Sequence, residues 1–216
     1  MSVDFSRTQG ALLQGMPQDQ TLSAVSPALN ELRSGTQTLH VALEKRLPFF
    51  SDTLDLERYK RLLGAYYGFY HELEERLQHS PWLTCGFDLQ ARLKTPALCR
   101  DLQALGVSIP SLELCDTLPV LHSQASVLGA LYVLEGATLG GNVLRKQISE
   151  RLGLDTHNGC AFLFVYGAAT GQQWKAFMDF LGSVPLDAQA RGEAVQAACS
   201  TFSCFEQWLE RQEVLV

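Results

Sequence analysis

Residues 134–144 read LEGATLGGNVL, and the fold turns on how their three glycines, Gly136, Gly140 and Gly141, are read. Upstream, Leu118, Leu121, Ala125, Leu128 and Leu131 recur at spacings of three and four; downstream, Val143, Leu144, Ile148 and Leu152 do the same. That period predicts one long helix from about Leu118 to Leu152. Each interior glycine costs a helix about 1 kcal/mol against alanine, so three of them need a reason. Gly136 and Gly140 are four apart and share a face, with Gly141 beside them. The result is a patch of bare backbone about one turn long. Two readings are open: close packing of another helix, or a notch against which a flat ligand lies.

The remaining periodicity is also helical. Ser26-Pro27 suits a helix start, and Leu29, Leu32, Thr36, Leu39, Leu43 and Leu47 follow until Pro48. Tyr59, Leu62, Leu63, Tyr66, Tyr70, Leu73 and Leu77 stripe a second helix over 55–78. A third, weaker one covers 89–105, and 106–116 is a loop. The last two fit 172–181 and 188–211. The apolar run at 159–167, GCAFLFVYG, fits either a buried strand or a short buried helix. No strands alternate with the helices, so the fold class is all-α, a single-domain bundle over 26–216. Residues 1–25 read as a flexible or loosely docked arm.

Composition narrows the function. The chain has 216 residues, 46% of them hydrophobic, and a net charge of −6 with scattered basic residues. That balance supplies no basic patch for phosphates and argues against a nucleic-acid partner. No signal-peptide core is apparent, and no segment is expected to span a membrane. The six cysteines, Cys85, Cys99, Cys115, Cys160, Cys199 and Cys204, form no CxxC pair and no zinc-type spacing. They read as free thiols in a reducing, cytoplasmic setting. No flavin, nicotinamide or iron–sulfur fingerprint is visible.

A flat ligand at the notch needs a second wall, and the first helix offers one. His40 lies at the edge of its apolar stripe, and Glu44 stands one turn later, placed to accept the imidazole Nδ1 proton and leave Nε2 free for a metal. Arg33, seven residues before His40, projects in nearly the same direction and suits a carboxylate at the pocket mouth. The alternative is an ordinary half-buried histidine with a solvated neighbour.

Three segments, LRSGTQTLHVALE (32–44), YYGFYHELEERL (66–77) and LYVLEGATLGGNVLRKQI (131–148), together resemble the heme oxygenases, in particular the bacterial ones that partner phytochromes. YGAATGQQWKAF (166–177) and AACSTFSCFEQWL (197–209) add weaker likeness, and the resemblance spans residues 28–210. It implies heme held between a proximal helix and a glycine-kinked distal helix. His40 would be the axial iron ligand through Nε2, with Glu44 as its hydrogen-bond partner, and Gly136, Gly140 and Gly141 the distal platform. Arg33 and Lys175 would face the propionates, and Tyr70 would correspond to a distal-pocket tyrosine. The activity implied is oxidative cleavage of heme, both substrate and cofactor, to biliverdin, carbon monoxide and ferrous iron. It uses O2 and electrons from an external reductase or ferredoxin, with a bacteriophytochrome as acceptor of the biliverdin. Two departures stand out. Ala137 occupies the place where many members carry an aspartate, so Asn142 or Thr138 would have to hold the distal water. Asp179 stands where some relatives place a basic residue. Glu135 is expected to point away from the glycine face. The alternatives are a heme carrier or sensor without turnover, and a non-heme member of the same fold.

Overall fold

The computed structural model describes residues 26–83 and 87–216; the expected N-terminal arm and Cys85 lie outside them. Among the described residues the α-helices are α1 (Pro27–Arg46), α2 (Leu56–Gln78), α3 (Thr95–Ala104), α4 (Gln124–Gly136), α5 (Gly141–Leu152), α6 (Thr170–Ser183) and α7 (Ala188–Arg211). Short 3-10 turns fill several connections, and no strand occurs among these residues. The ambiguous run at 159–167 is two such turns, Phe162–Phe164 and Gly167–Ala169.

Local chemistry sets the helix ends. Pro27 sits in the first turn of α1, where its missing N–H costs nothing. The Asp55 carboxylate accepts the Arg58 N–H at 2.8 Å to start α2, and Asp187 accepts that of Ala190 at 2.8 Å to start α7. α4 begins at Gln124, six residues after the expected start. Ser123 and Ser126 form a reciprocal capping box there (3.1 and 2.9 Å), and Pro119 lies in the non-helical stretch before it. Gly153 closes α5 in the left-handed conformation, φ 69°.

The long glycine-containing helix is therefore two helices. The α-helical ladder stops at Gly136, residues Ala137–Gly140 wind as 3-10, and α5 resumes at Gly141. Taken together, Gln124–Leu152 is long and apolar enough to cross a membrane, by length and composition alone. Half of its most apolar window is buried inside the bundle, as in the core helix of a globular protein.

α7 is the spine: α1 and α4 both pack along it, and α2 touches it near its C-terminal end. Two glycines make the approach close. A Cβ on Gly129 of α4 would overlap the carbonyl of Ala194, and one on Gly35 of α1 would overlap Val195 Cγ1. α2 is buried on every side from Leu62 to Tyr70, and the Trp208 indole N–H of α7 donates to the Ala65 carbonyl at 2.7 Å. One continuous apolar core joins all seven helices.

Candidate functional site

His40 projects from the fourth turn of α1 beside α7, its ring edge-on to Phe202 at 5.8 Å between centroids. Its side chain is 33% exposed, as is that of Glu44. The two meet at 3.3 Å, as the i, i+4 spacing on a helix requires. Burial pushes the Glu44 carboxyl above its usual range, and the imidazole pulls it part of the way back. The nitrogen facing Glu44 is Nε2, which corrects the expected pairing through Nδ1. The pair has the expected members, with Nε2 rather than Nδ1 toward the carboxylate.

An aromatic wall forms where α2, α7 and the turn Phe162–Phe164 meet. Tyr66 and Tyr70 of α2 stack at 6.0 Å, and Phe162 stands edge-on to both at 5.4 Å. Phe205 of α7 meets Tyr66 at 5.0 Å. Burial drives both phenols well above their ordinary pKa, and for Tyr70 the carboxylates of Glu74 and Glu135 add to the effect. Tyr70, expected in the distal pocket, belongs to this wall.

Two of the three glycines separate the packing reading from the notch reading. At Gly136 an added Cβ would lie 3.9 Å from the Trp174 ring, an ordinary contact, so packing among the described residues does not demand a glycine. At Gly141 it would overlap the Leu163 carbonyl oxygen, so this glycine exists for backbone approach. That corrects its assignment to the open ledge. Gly140 ends the 3-10 turn, half-buried. The Thr138 hydroxyl donates to the Glu135 carbonyl at 2.7 Å, and the exposed Asn142 amide oxygen accepts from Arg145 at 3.1 Å.

The charged residues expected at the pocket mouth are exposed. Arg33 lies near the Tyr132 phenol, which also meets the Thr36 hydroxyl and so links α1 to α4. Lys175 is held by Asp179 at 2.6 Å on the surface of α6, so the second departure from the family pattern supplies the partner of the lysine expected at the propionates. Such an exposed pair is worth at most about 1 kcal/mol and exchanges readily.

Sequence reasoning missed a buried ion cluster at the bend. Glu135 is 1% exposed. Its carboxylate accepts from Arg92 at 2.6 Å, from the Lys94 ammonium, and from the Tyr166 hydroxyl at 2.8 Å. Glu74 of α2 accepts the backbone N–H of Lys94 (2.7 Å) and of Thr95 (3.0 Å). Burial lowers the Lys94 pKa, with Glu135 opposing. Only Glu135 carried a local signal, as a charge inside an apolar stripe; its partners come from segments 31 to 43 residues away.

These features match known proteins. Residues 26–211 fit the profile of the Heme oxygenase family. Heme oxygenase PigA of Pseudomonas aeruginosa is 29% identical over 179 residues, covering 81% of this chain and 85% of that protein. A heme oxygenase of Xanthomonas campestris pv. campestris is 29% identical over 157 residues, covering 70% and 88%. The solved NO- and CO-bound heme oxygenase of Neisseria meningitidis superposes with a TM-score of 0.73 at 23% identity, covering 89% of this chain and 94% of that one, a likeness of fold. With a profile match over most of its length, an all-helical bundle of the same shape, and an imidazole–carboxylate pair on its first helix, the chain belongs to the heme oxygenase family.

Proposed function

We propose that this protein cleaves heme to biliverdin, carbon monoxide and ferrous iron, with O2 and electrons from a separate reductase or ferredoxin. The observation that carries this is the His40–Glu44 pair, partly exposed on α1 with the imidazole edge-on to Phe202, within a family fold whose distal helix is interrupted at its glycines. Among the described residues no cluster of three His, Cys, Asp or Glu could hold a metal alone. An iron bound at His40 would therefore bring its other ligands with it, as a porphyrin does.

Bound heme supplies the iron that takes O2 and the macrocycle that is oxidised. His40 would hold it, and Glu44 would accept the remaining imidazole N–H, fixing the tautomer and raising its basicity. Gly136 and Gly140 leave backbone, not side chains, over the substrate face. Ala137 offers no carboxylate. The Thr138 oxygen, having donated its proton to Glu135, keeps lone pairs for a water, and Asn142 keeps both amide hydrogens; these two would hold the distal solvent. Arg33 would bind a propionate, and Lys175 another after releasing Asp179. The described cysteines are free, which supports a reducing cytoplasm, and a bacteriophytochrome is the acceptor we propose for the biliverdin.

Ala137 alone favours a second reading, a heme carrier without turnover. Reconstitution with heme followed by ascorbate separates the two: a biliverdin spectrum is expected, and a stable reduced heme would establish the carrier. His40→Ala is expected to abolish the native ferric spectrum, and an unchanged spectrum would remove His40 as ligand. Gly140→Leu is expected to block heme entry or turnover with a modest loss of stability.

A further inference from the structure

The connection 159–167 fastens both ends of the distal bend. At the C-terminal end the Leu163 carbonyl lies against Gly141 so closely that no side chain fits between. At the N-terminal end the Tyr166 hydroxyl meets both carboxylate oxygens of Glu135, at 2.8 and 3.1 Å. Between these joints runs the 3-10 turn 137–140, a poorly bonded interruption that makes two joined helices a hinge unless something spans it.

The connection is itself anchored from behind. Asp101 of α3 accepts the backbone N–H groups of Ala161 (2.8 Å) and Phe162 (2.7 Å). Tyr59 of α2 donates to the Gly159 carbonyl at 2.9 Å. Gly159 (φ 142°) and Gly167 (φ 56°) turn the chain at either end, in conformations that favour glycine. Cys160 is fully buried, and Phe162 leans on Tyr66 and Tyr70.

We propose that residues 159–167 are a splint across the distal bend that sets the height and tilt of the Gly136–Gly140 backbone over heme, with Tyr166 and Asp101 as positioning residues for the site of ring cleavage. The splint rests on the heme-cleavage reading only for its consequence in turnover; its mechanical role does not need heme. Two fixed points on either side of an interruption turn a hinge into a set angle. A backbone ledge can steer a reaction only if its position is fixed to a fraction of an ångström, since a displacement of about 1 Å far from the chemistry can cost about 100-fold in rate.

Two variants test this. Tyr166→Phe removes the hydroxyl but keeps the ring over which the Lys94 ammonium lies at 5.3 Å. Asp101→Asn weakens the rear anchor and keeps an acceptor. In the heme-free protein, hydrogen exchange of the amides of 137–141 is expected to accelerate in both, relative to the middle of α4. In the heme complex, the biliverdin isomer distribution is expected to broaden, the C–O stretch of the ferrous CO complex to shift or broaden, and kcat to fall about tenfold or more with KM little changed. A merely structural segment would lower the melting temperature without moving the isomer ratio or the C–O band. Unaltered exchange at 137–141 in folded Tyr166→Phe would overturn the splint whether or not heme binds. Accelerated exchange with wild-type isomers and C–O band would overturn its positioning role. A wild-type chain that forms no heme complex would instead sink the functional reading and leave the exchange result to decide the splint.

Discussion

At Gly141 a methyl group has no room, because the Leu163 carbonyl already occupies the place. At Gly136, five residues earlier, the same methyl would touch the Trp174 ring at 3.9 Å and displace nothing. Opposite stabilities follow. Gly141→Ala should destabilise by about 1–3 kcal/mol, the usual cost of forcing atoms into packed space. Gly136→Ala should gain up to about 1 kcal/mol of helix propensity. Urea denaturation of the two variants measures both, and a similar loss in each would mean that Gly136 also serves packing. The sequence shows three glycines on one stretch but cannot sort them, because their separate uses depend on which chain segment arrives opposite each one. Glu135 shows the same divide. Its charge inside an apolar stripe is legible locally, whereas Arg92, Lys94 and Tyr166 are assembled around it by the fold.

Among the elements, α7 governs how far apart α1 and α4 stand, because both press on the same stretch of it. Gly129 meets the backbone at Ala194, whereas Gly35 meets the side chain of Val195. A carbonyl in a helix cannot step aside, but a valine side chain can adjust. Gly129→Ala should therefore cost about 1–3 kcal/mol. In Gly35→Ala the gain in propensity, about 1 kcal/mol, should offset most of the repacking. Chemical denaturation of the pair gives the comparison; equal losses would mean that Val195 is as immobile as the backbone. Neither glycine stood out in the sequence, since each is a lone small residue in an amphipathic run. The helix bounds, by contrast, were legible to within two residues at α1, α2, α6 and α7. Proline, aspartate caps and the apolar period specify them locally. α4 was misjudged at its start because its apolar spacing continues upstream through Leu118 and Leu121, past the Ser123 cap that ends it.

The molecule as a whole carries six tyrosines, and all six phenols are shifted upward, with burial the leading cause. A phenol whose folded pKa exceeds its unfolded value of about 10 keeps its proton in the native state after the unfolded chain has lost it. Its contribution to stability is complete below pH 10 and is lost as pH rises beyond. Alkaline titration should therefore show tyrosinate absorbance from Tyr59, Tyr66, Tyr70 and Tyr166 rising together with the loss of helical circular dichroism. Ionisation of these four near pH 10 with the helices intact would mean that water reaches the aromatic wall in solution.

The sequence by itself determined the all-helical class, the bounds of α1, α2, α6 and α7, and the candidate pair His40 and Glu44, because each is encoded by spacing along the local chain. Only the tertiary structure decided which glycines are open and which are filled, which nitrogen of His40 meets Glu44, and what closes around Glu135. Those outcomes depend on segments tens of residues apart, and a local pattern cannot state which of several compatible neighbours will occupy a given volume.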